Sequence, residues 1–209
     1  MKIAVFGATG NTGSRVVDAA LARGFEVNAL VRDPTRVPQK HTRLTVLQGA
    51  PTVAEDVAAC VRGTDAVVHC LGVGGKGDGK PTTLISDSVK AALIAMEEAQ
   101  VPRIVCMSNL GAGGSGPWWF NRLLIPLFVR WLRPLIDDKD RMEAALRASR
   151  VEWVSVRLVG ITEGPAKPTR TSADGRGLGM SITDASVAEF LLDQVQGTAF
   201  LRQTPSLSN

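Results

Sequence analysis

Gly7-Ala8-Thr9-Gly10-Asn11-Thr12-Gly13 stands between Lys2–Phe6, which reads as a short buried strand, and residues 14–23, which read as a helix closed by Gly24. Three glycines at this spacing between a strand and a helix leave the chain few folds to choose from. Gly7 permits the tight turn, Gly10 lets a pyrophosphate come close to backbone, and Gly13 allows close packing of helix on sheet. The helix start then offers amide donors and the positive end of its dipole to phosphate oxygens. All of Gly7, Thr9, Gly10, Asn11, Thr12 and Gly13 are therefore expected to contact a dinucleotide. A Rossmann turn kept only for its structure is the competing reading.

The alternation of strand and helix continues along the chain. Residues 26–31, 44–48, 66–71, 103–107 and 153–157 are apolar runs of strand length. Between them, residues 53–62, 83–100 and 136–149 carry helical spacing, and a further helix is capped near Thr183 or Asp184. Strands that are apolar on both faces and alternate with helices give a parallel sheet between helical layers, with right-handed crossovers. The expected fold is α/β, a single Rossmann-type, doubly wound and mainly parallel sheet spanning residues 1–209. Residues 199–202 read as a short terminal strand, and 203–209 as a polar tail that frays.

The second strand ends Val31-Arg32-Asp33, where an acidic residue would bond the adenosine ribose hydroxyls of NAD. The Arg32 guanidinium matches a 2'-phosphate with paired, charge-assisted hydrogen bonds, and Arg36 adds a second cation in the next turn. NADP(H) is the expected cofactor. Asp33 keeps NAD open, and a solvated loop charge is the other reading of Arg36.

Composition removes several alternatives. A net charge of +4 over 209 residues, with no run of basic residues, gives no nucleic-acid surface. Cys60, Cys70 and Cys106 lack paired spacing and fall in apolar stretches, as buried thiols in a reducing compartment do. After Met1-Lys2 only four apolar residues run to Gly7, too few for the apolar core of a signal peptide, so a cytoplasmic location is expected. His41 and His69 have no partners at metal-ligand spacing, and no metal is assigned.

The segments from Lys2 to Gly13 and Leu30-Val31-Arg32-Asp33 resemble the atypical short-chain dehydrogenases, nearest to the biliverdin reductase B and flavin reductase branch and to the NmrA-like proteins. Pro81-Thr82-Thr83, Cys106-Met107-Ser108, Asp137-Asp138-Lys139 with Arg141-Met142, Leu146-Arg147-Ala148-Ser149 and Asp174-Gly175-Arg176-Gly177 are similar to later segments of that branch. The stretch 109–136 matches least. The resemblance implies NADPH-dependent transfer of hydride to a stacked planar acceptor: a flavin, a quinone or a biliverdin-like molecule. By position it places Arg32 and Arg36 at the 2'-phosphate, Leu71 and Gly72 beside the cofactor cleft, and Ser108 near the nicotinamide. The branch's two histidines fall at Gly160 and Lys139, which puts bilin chemistry in question.

The chain has no tyrosine, so the Tyr-x-x-x-Lys pair by which typical short-chain dehydrogenases protonate a carbonyl is absent. Flavin reduction asks mainly for orientation and a pocket. Ser108, at the carboxyl end of a strand, is the first catalytic candidate, with a turn or capping serine as its alternative. Lys139 is the second, in place of the missing histidine, against a solvent-facing helix lysine. Thr82 and Thr83 touch ligand or cap the following helix, and His69 reads as a packed strand residue. Gly72, Gly74, Gly75, Gly77 and Gly79 read as a loop that lets a dinucleotide approach backbone closely, with simple mobility as the other reading.

The substrate-side stretch 117–136 carries Trp118, Trp119, Phe120, Leu123, Leu124, Ile125, Phe128 and Trp131, interrupted by Asn121, Arg122, Pro126, Arg130 and Arg133. It reads as a lid or partner surface, with core packing close behind and peripheral membrane contact the further alternative. A membrane span does not fit Pro126 and the arginines. The expected partner is a small planar acceptor, and the oligomeric state is left open. The rival function is a non-catalytic NADP(H)-binding redox sensor of NmrA-like type.

Overall fold

The computed structural model describes residues 1–73, 79–118, 122–123 and 130–209. Gly74, Gly75 and Gly77, and Trp119, Phe120, Asn121, Leu124, Ile125, Pro126 and Phe128, lie outside the described residues.

Ten strands form among the described residues: β1 (Lys2–Phe6), β2 (Glu26–Val31), β3 (Leu44–Gln48), β4 (Ala66–His69), β5 (Arg103–Asn109), β6 (Glu152–Leu158), β7 (Gly160–Thr162), β8 (Arg170–Ser172), β9 (Ser181–Thr183) and β10 (Ser206–Ser208). The helices described are α1 (Asn11–Ala22), α2 (Ala54–Val61), α3 (Leu84–Ala99), α4 (Arg133–Ala148) and α5 (Asp184–Gln196). Eight strands make one sheet in the order β3-β2-β1-β4-β5-β6-β10-β8, and β7 and β9 pair separately. Every pairing in the large sheet is parallel except that of β10 with β8. Strand order reverses between β1 and β4, the point where open α/β sheets leave a crevice at their carboxyl edge.

Alternation along β1 divides the core. Ile3 and Val5 point to one face, with Val16, Val17 and Ala20 of α1 and Val187 and Leu191 of α5. Ala4 and Phe6 point to the other, with Val57 and Val61 of α2, Val89 and Met96 of α3, and Met142 and Leu146 of α4. Each such aliphatic side chain, fully withdrawn from water, contributes about 1.5–3 kcal/mol before entropy is charged against it. Helices on both faces explain why the central strands are apolar throughout.

Three expectations are corrected. Residues 199–202 are turn rather than strand, and the chain enters the sheet later, as β10. The tail expected to fray instead holds Ser206, Leu207 and Ser208 at 0% exposure, between β6 and β8. Backbone pairing on both sides, not side-chain hydrophobicity, puts two serines there. The first helix also starts earlier than read, at Asn11, so Gly13 lies inside it.

Candidate functional site

The turn from β1 into α1 has no room for side chains. Gly7 has φ +88°, and a Cβ there would lie 2.9 Å from the carbonyl carbon and oxygen of Cys70. A Cβ on Gly13 would drive into the Gly7 carbonyl. These two glycines therefore seat the start of α1 against the carboxyl ends of β1 and β4. Gly10 is the N-cap of α1 and brings no capping side chain, and the first turn contains no acidic residue. Its amides and dipole are left for an anion from outside.

A cleft of about 300 Å³ opens there, lined by Ala8, Thr9, Gly10, Asn11, Ser14, Arg15, Arg36, Pro38, Glu163 and Asp184. It gathers Thr9, Gly10, Asn11 and Arg36 from the expected set. Thr12 is buried on α1. Arg32 is exposed beyond β2 and does not line this cleft. Asp33 is committed locally: its Oδ1 accepts from Thr35 N at 3.0 Å and Thr35 Oγ1 at 2.6 Å. Those hydrogen bonds hold its pKa below the usual carboxylate range. Arg15 was not anticipated. Its Nε donates to Asp184 Oδ2 at 3.3 Å and its Nη2 lies 3.7 Å from Glu163 Oε1, so the cleft's two carboxylates share one guanidinium.

At the other side of the strand reversal, α4 lays ionisable residues along its buried face. Asp138 and Glu143 are 0% exposed and Lys139 is 2% exposed. Lys139 is thus not the solvent-facing lysine that its residue type suggests. Its Nζ donates to the carbonyls of Met107, at 2.6 Å, and Leu71, at 3.3 Å, bridging the ends of β5 and β4. Burial pushes its pKa down to about 8, against the pull of negative groups that include Asp138 and Glu143.

Ser108 is 2% exposed and its Oγ donates to Glu143 Oε1 at 2.9 Å. Glu143 also receives Ser155 Oγ, Arg157 Nε and Nη2, and Arg147 Nη2. Burial raises the Glu143 pKa, but Arg157, Ser108 and Arg147 together outweigh it and the net direction is down. The result is an ionised carboxylate clamping β5, β6 and α4 together. Asp138 accepts from Ile85 N at 2.9 Å and Ser86 N at 3.2 Å, which caps α3. Thr82 supplies Oγ1 to Leu84 N, whereas Thr83 is the N-cap residue and its side chain makes no cap bond.

None of Asp138, Glu143 and Arg157 was singled out as a site residue from the sequence, although a signal for one of them exists. Ile136, Lys139, Glu143 and Leu146 recur at i, i+3, i+7 and i+10, one face of a helix, so Lys139 and Glu143 share the core stripe. Charge made them look solvated.

His69 is packed as expected, its Nε2 2.9 Å from Ser88 Oγ, and burial pushes its pKa down to about 3. Cys60, Cys70 and Cys106 are free and buried, and burial raises all three thiols. A Cβ on Gly72 would meet nothing within 4 Å, so packing does not demand glycine there. In the aromatic stretch, Trp118, Leu123 and Trp131 are exposed, so these three are not core. No helix among the described residues is long and apolar enough to cross a membrane.

Comparison with known proteins places this site in context. A family model described as NAD(P)H-binding matches residues 7–198. Among curated proteins, the oxidoreductase AgnL4 of Paecilomyces divaricatus is 29% identical over 69% of this chain and 60% of its own, so the match spans less than two thirds of that relative. A short-chain dehydrogenase/reductase from Veillonella parvula, solved in complex with NADP, superposes with a TM-score of 0.82 at 15% identity, covering 100% of this chain and 94% of that one. ChuY from Escherichia coli O157:H7, an anaerobillin reductase, gives a TM-score of 0.80 at 22% identity, with 100% and 97% covered.

Proposed function

The chain belongs to the NAD(P)H-binding family, and on that footing we propose an oxidoreductase that uses NADPH to reduce a planar conjugated acceptor such as a flavin, a quinone or a biliverdin-like tetrapyrrole. The observation that carries the reading is Lys139 Nζ, buried between the Leu71 and Met107 carbonyls at the carboxyl edge of the sheet. An ammonium with a pKa of about 8 gives up a proton near neutral pH, the task that falls vacant in a chain without tyrosine. When bound, the nicotinamide supplies the hydride.

The residues at the turn fit a dinucleotide. Gly7 and Gly13 leave the space, the bare start of α1 receives the diphosphate, and Arg36 meets the 2'-phosphate. Arg36 in the cleft, with Asp33 Oδ1 engaged by Thr35, favours NADPH over NADH. Ser108 serves as a positioning residue, fixing the end of β5 through Glu143. A tetrapyrrole gains support from the likeness to ChuY, and the oxidoreductase class from AgnL4.

Stopped-flow absorbance with NADPH and FMN, riboflavin, biliverdin or a quinone tests the reading. The expected result is acceptor-dependent oxidation that Lys139→Met slows about 100-fold while NADPH affinity stays within about twofold. Tight binding without oxidation by any acceptor would replace the reductase with the redox-sensor reading.

A further inference from the structure

We infer that Gln39 is a positioning residue for nucleotide selectivity: its side-chain amide pins the loop that carries Arg36 to the start of α1, so that the 2'-phosphate site stands assembled before the nucleotide arrives. The inference rests on the NADPH reading of the cleft.

Arg36 sits in the long connection between β2 and β3, residues 32–43, whose length alone gives it no reason to face α1. Two devices decide its direction. At the front, Asp33 closes a turn through Thr35, and Arg36 N donates to Asp33 O at 3.2 Å, with Pro34 at the head of the turn. At the back, Gln39 Nε2 donates to Ser14 Oγ at 2.8 Å and Asp18 Oδ1 at 2.9 Å, and lies 3.5 Å from Ser14 O. All three acceptors belong to α1, and Ser14 itself lines the cleft together with Arg36 and Pro38.

The bonds also fix the amide's orientation. Gln39 Oε1 is buried without a partner, so only the NH2 side does the fastening. Turning the amide over would set an oxygen against the Asp18 carboxylate. Gln39 itself does not line the cleft, so it acts through the Arg36 loop, on the nucleotide that carries a 2'-phosphate. A loop held in place loses less backbone freedom when Arg36 engages the phosphate, which is how pre-organisation raises affinity without a new contact.

The test is the ratio of NADPH to NADH dissociation constants, read by nucleotide fluorescence on the folded protein without any acceptor. Gln39→Ala and the near-isosteric Gln39→Glu, which has no donor and sets a second carboxylate against Asp18, should each cut the preference for NADPH roughly 5- to 10-fold, with NADH affinity within about twofold. In an Arg36→Ala background, Gln39→Ala should change nothing further, because there is no guanidinium left to position. If Arg36→Ala removes the preference and both Gln39 variants keep it, or if they weaken both nucleotides equally, the positioning role is wrong and the cleft assignment survives. If Arg36→Ala leaves the ratio as it was, the 2'-phosphate site is elsewhere and both readings fall.

Discussion

The amino ends of α1 and α3 start from the same physics and end differently. Each helix follows a strand at the centre of the sheet, β1 or β4, and each presents unpaired amides and a positive dipole at the carboxyl edge. At α3 the protein fills the site itself: the Asp138 carboxylate, delivered from α4, takes the amides of Ile85 and Ser86, and Thr82 takes that of Leu84. At α1 no side chain caps Gly10, no acid enters the first turn, and the nearby Asp184 carboxylate is turned toward Arg15. With glycine as its N-cap, α1 gives up only roughly a few tenths of a kcal/mol against a capping side chain, and an outside anion at the bare start offsets it. The difference leaves α1, not α3, as the helix end open to the diphosphate that the proposed function requires.

The largest effect should come from emptying the filled end. Asp138→Ala strips two buried amides of their acceptor and leaves Arg141 without its 3.4 Å partner. We expect a loss of about 2–3 kcal/mol, from the cap and from amides buried without partners, or about 5–10 °C in melting temperature for a chain of this size. NADPH affinity of the folded variant should stay within about twofold. A calorimetric melt that matches wild type would mean that water caps α3 as well as Asp138 does.

The converse change fills the empty end. Asn11 opens α1 and is exposed, so Asn11→Asp places a carboxylate where α3 has one. The free protein should gain about 0.5 kcal/mol from the dipole, while NADPH binding weakens roughly 10-fold because the new charge opposes the diphosphate. Opposite signs in the two measurements, a thermal melt without nucleotide and a fluorescence titration with it, are the diagnostic. If both improve, the diphosphate does not sit at α1.

How far the sequence carries this comparison depends on range. The turn at α1 is local: three glycines, the strand before them and the helix after them are contiguous, and the reading of residues 7–13 needed no distant partner. The cap on α3 is not local, since Asp138 lies 53 residues beyond Ile85 and only the packing of α4 brings it there. Lys139 and Glu143 were misleading for another reason. Their helical register places them on the core stripe, but buried charge is costly alone, and the groups that offset it come from β4, β5 and β6. The reading of β10 failed because Ser-Leu-Ser has no strand signal of its own, and its neighbours supply the pairing. Arg36 was read from sequence as a 2'-phosphate contact, whereas Gln39, which fastens its loop, is visible only when α1 and that loop are seen side by side.

The smallest effect probes whether Asp138 serves only α3. Its charge also favours the Lys139 ammonium, opposing the burial that pushes that pKa down to about 8 from 10.5. Because the folded pKa lies below the unfolded one, the folded protein binds fewer protons between about pH 8 and 10.5. Wild type should therefore gain stability relative to Lys139→Met as pH rises through that window, and the difference should be flat below it. Asp138→Asn keeps a side-chain oxygen for the α3 amides but removes the charge, so the Lys139 midpoint, followed by NMR of labelled lysine, should drop by less than about one pH unit. A midpoint that stays put would confine the Asp138 charge to the helix end, making α3 and α1 a cleaner contrast. A drop would tie the filled helix end to the proton carried beside β4 and β5, so that the two halves of the site share one carboxylate.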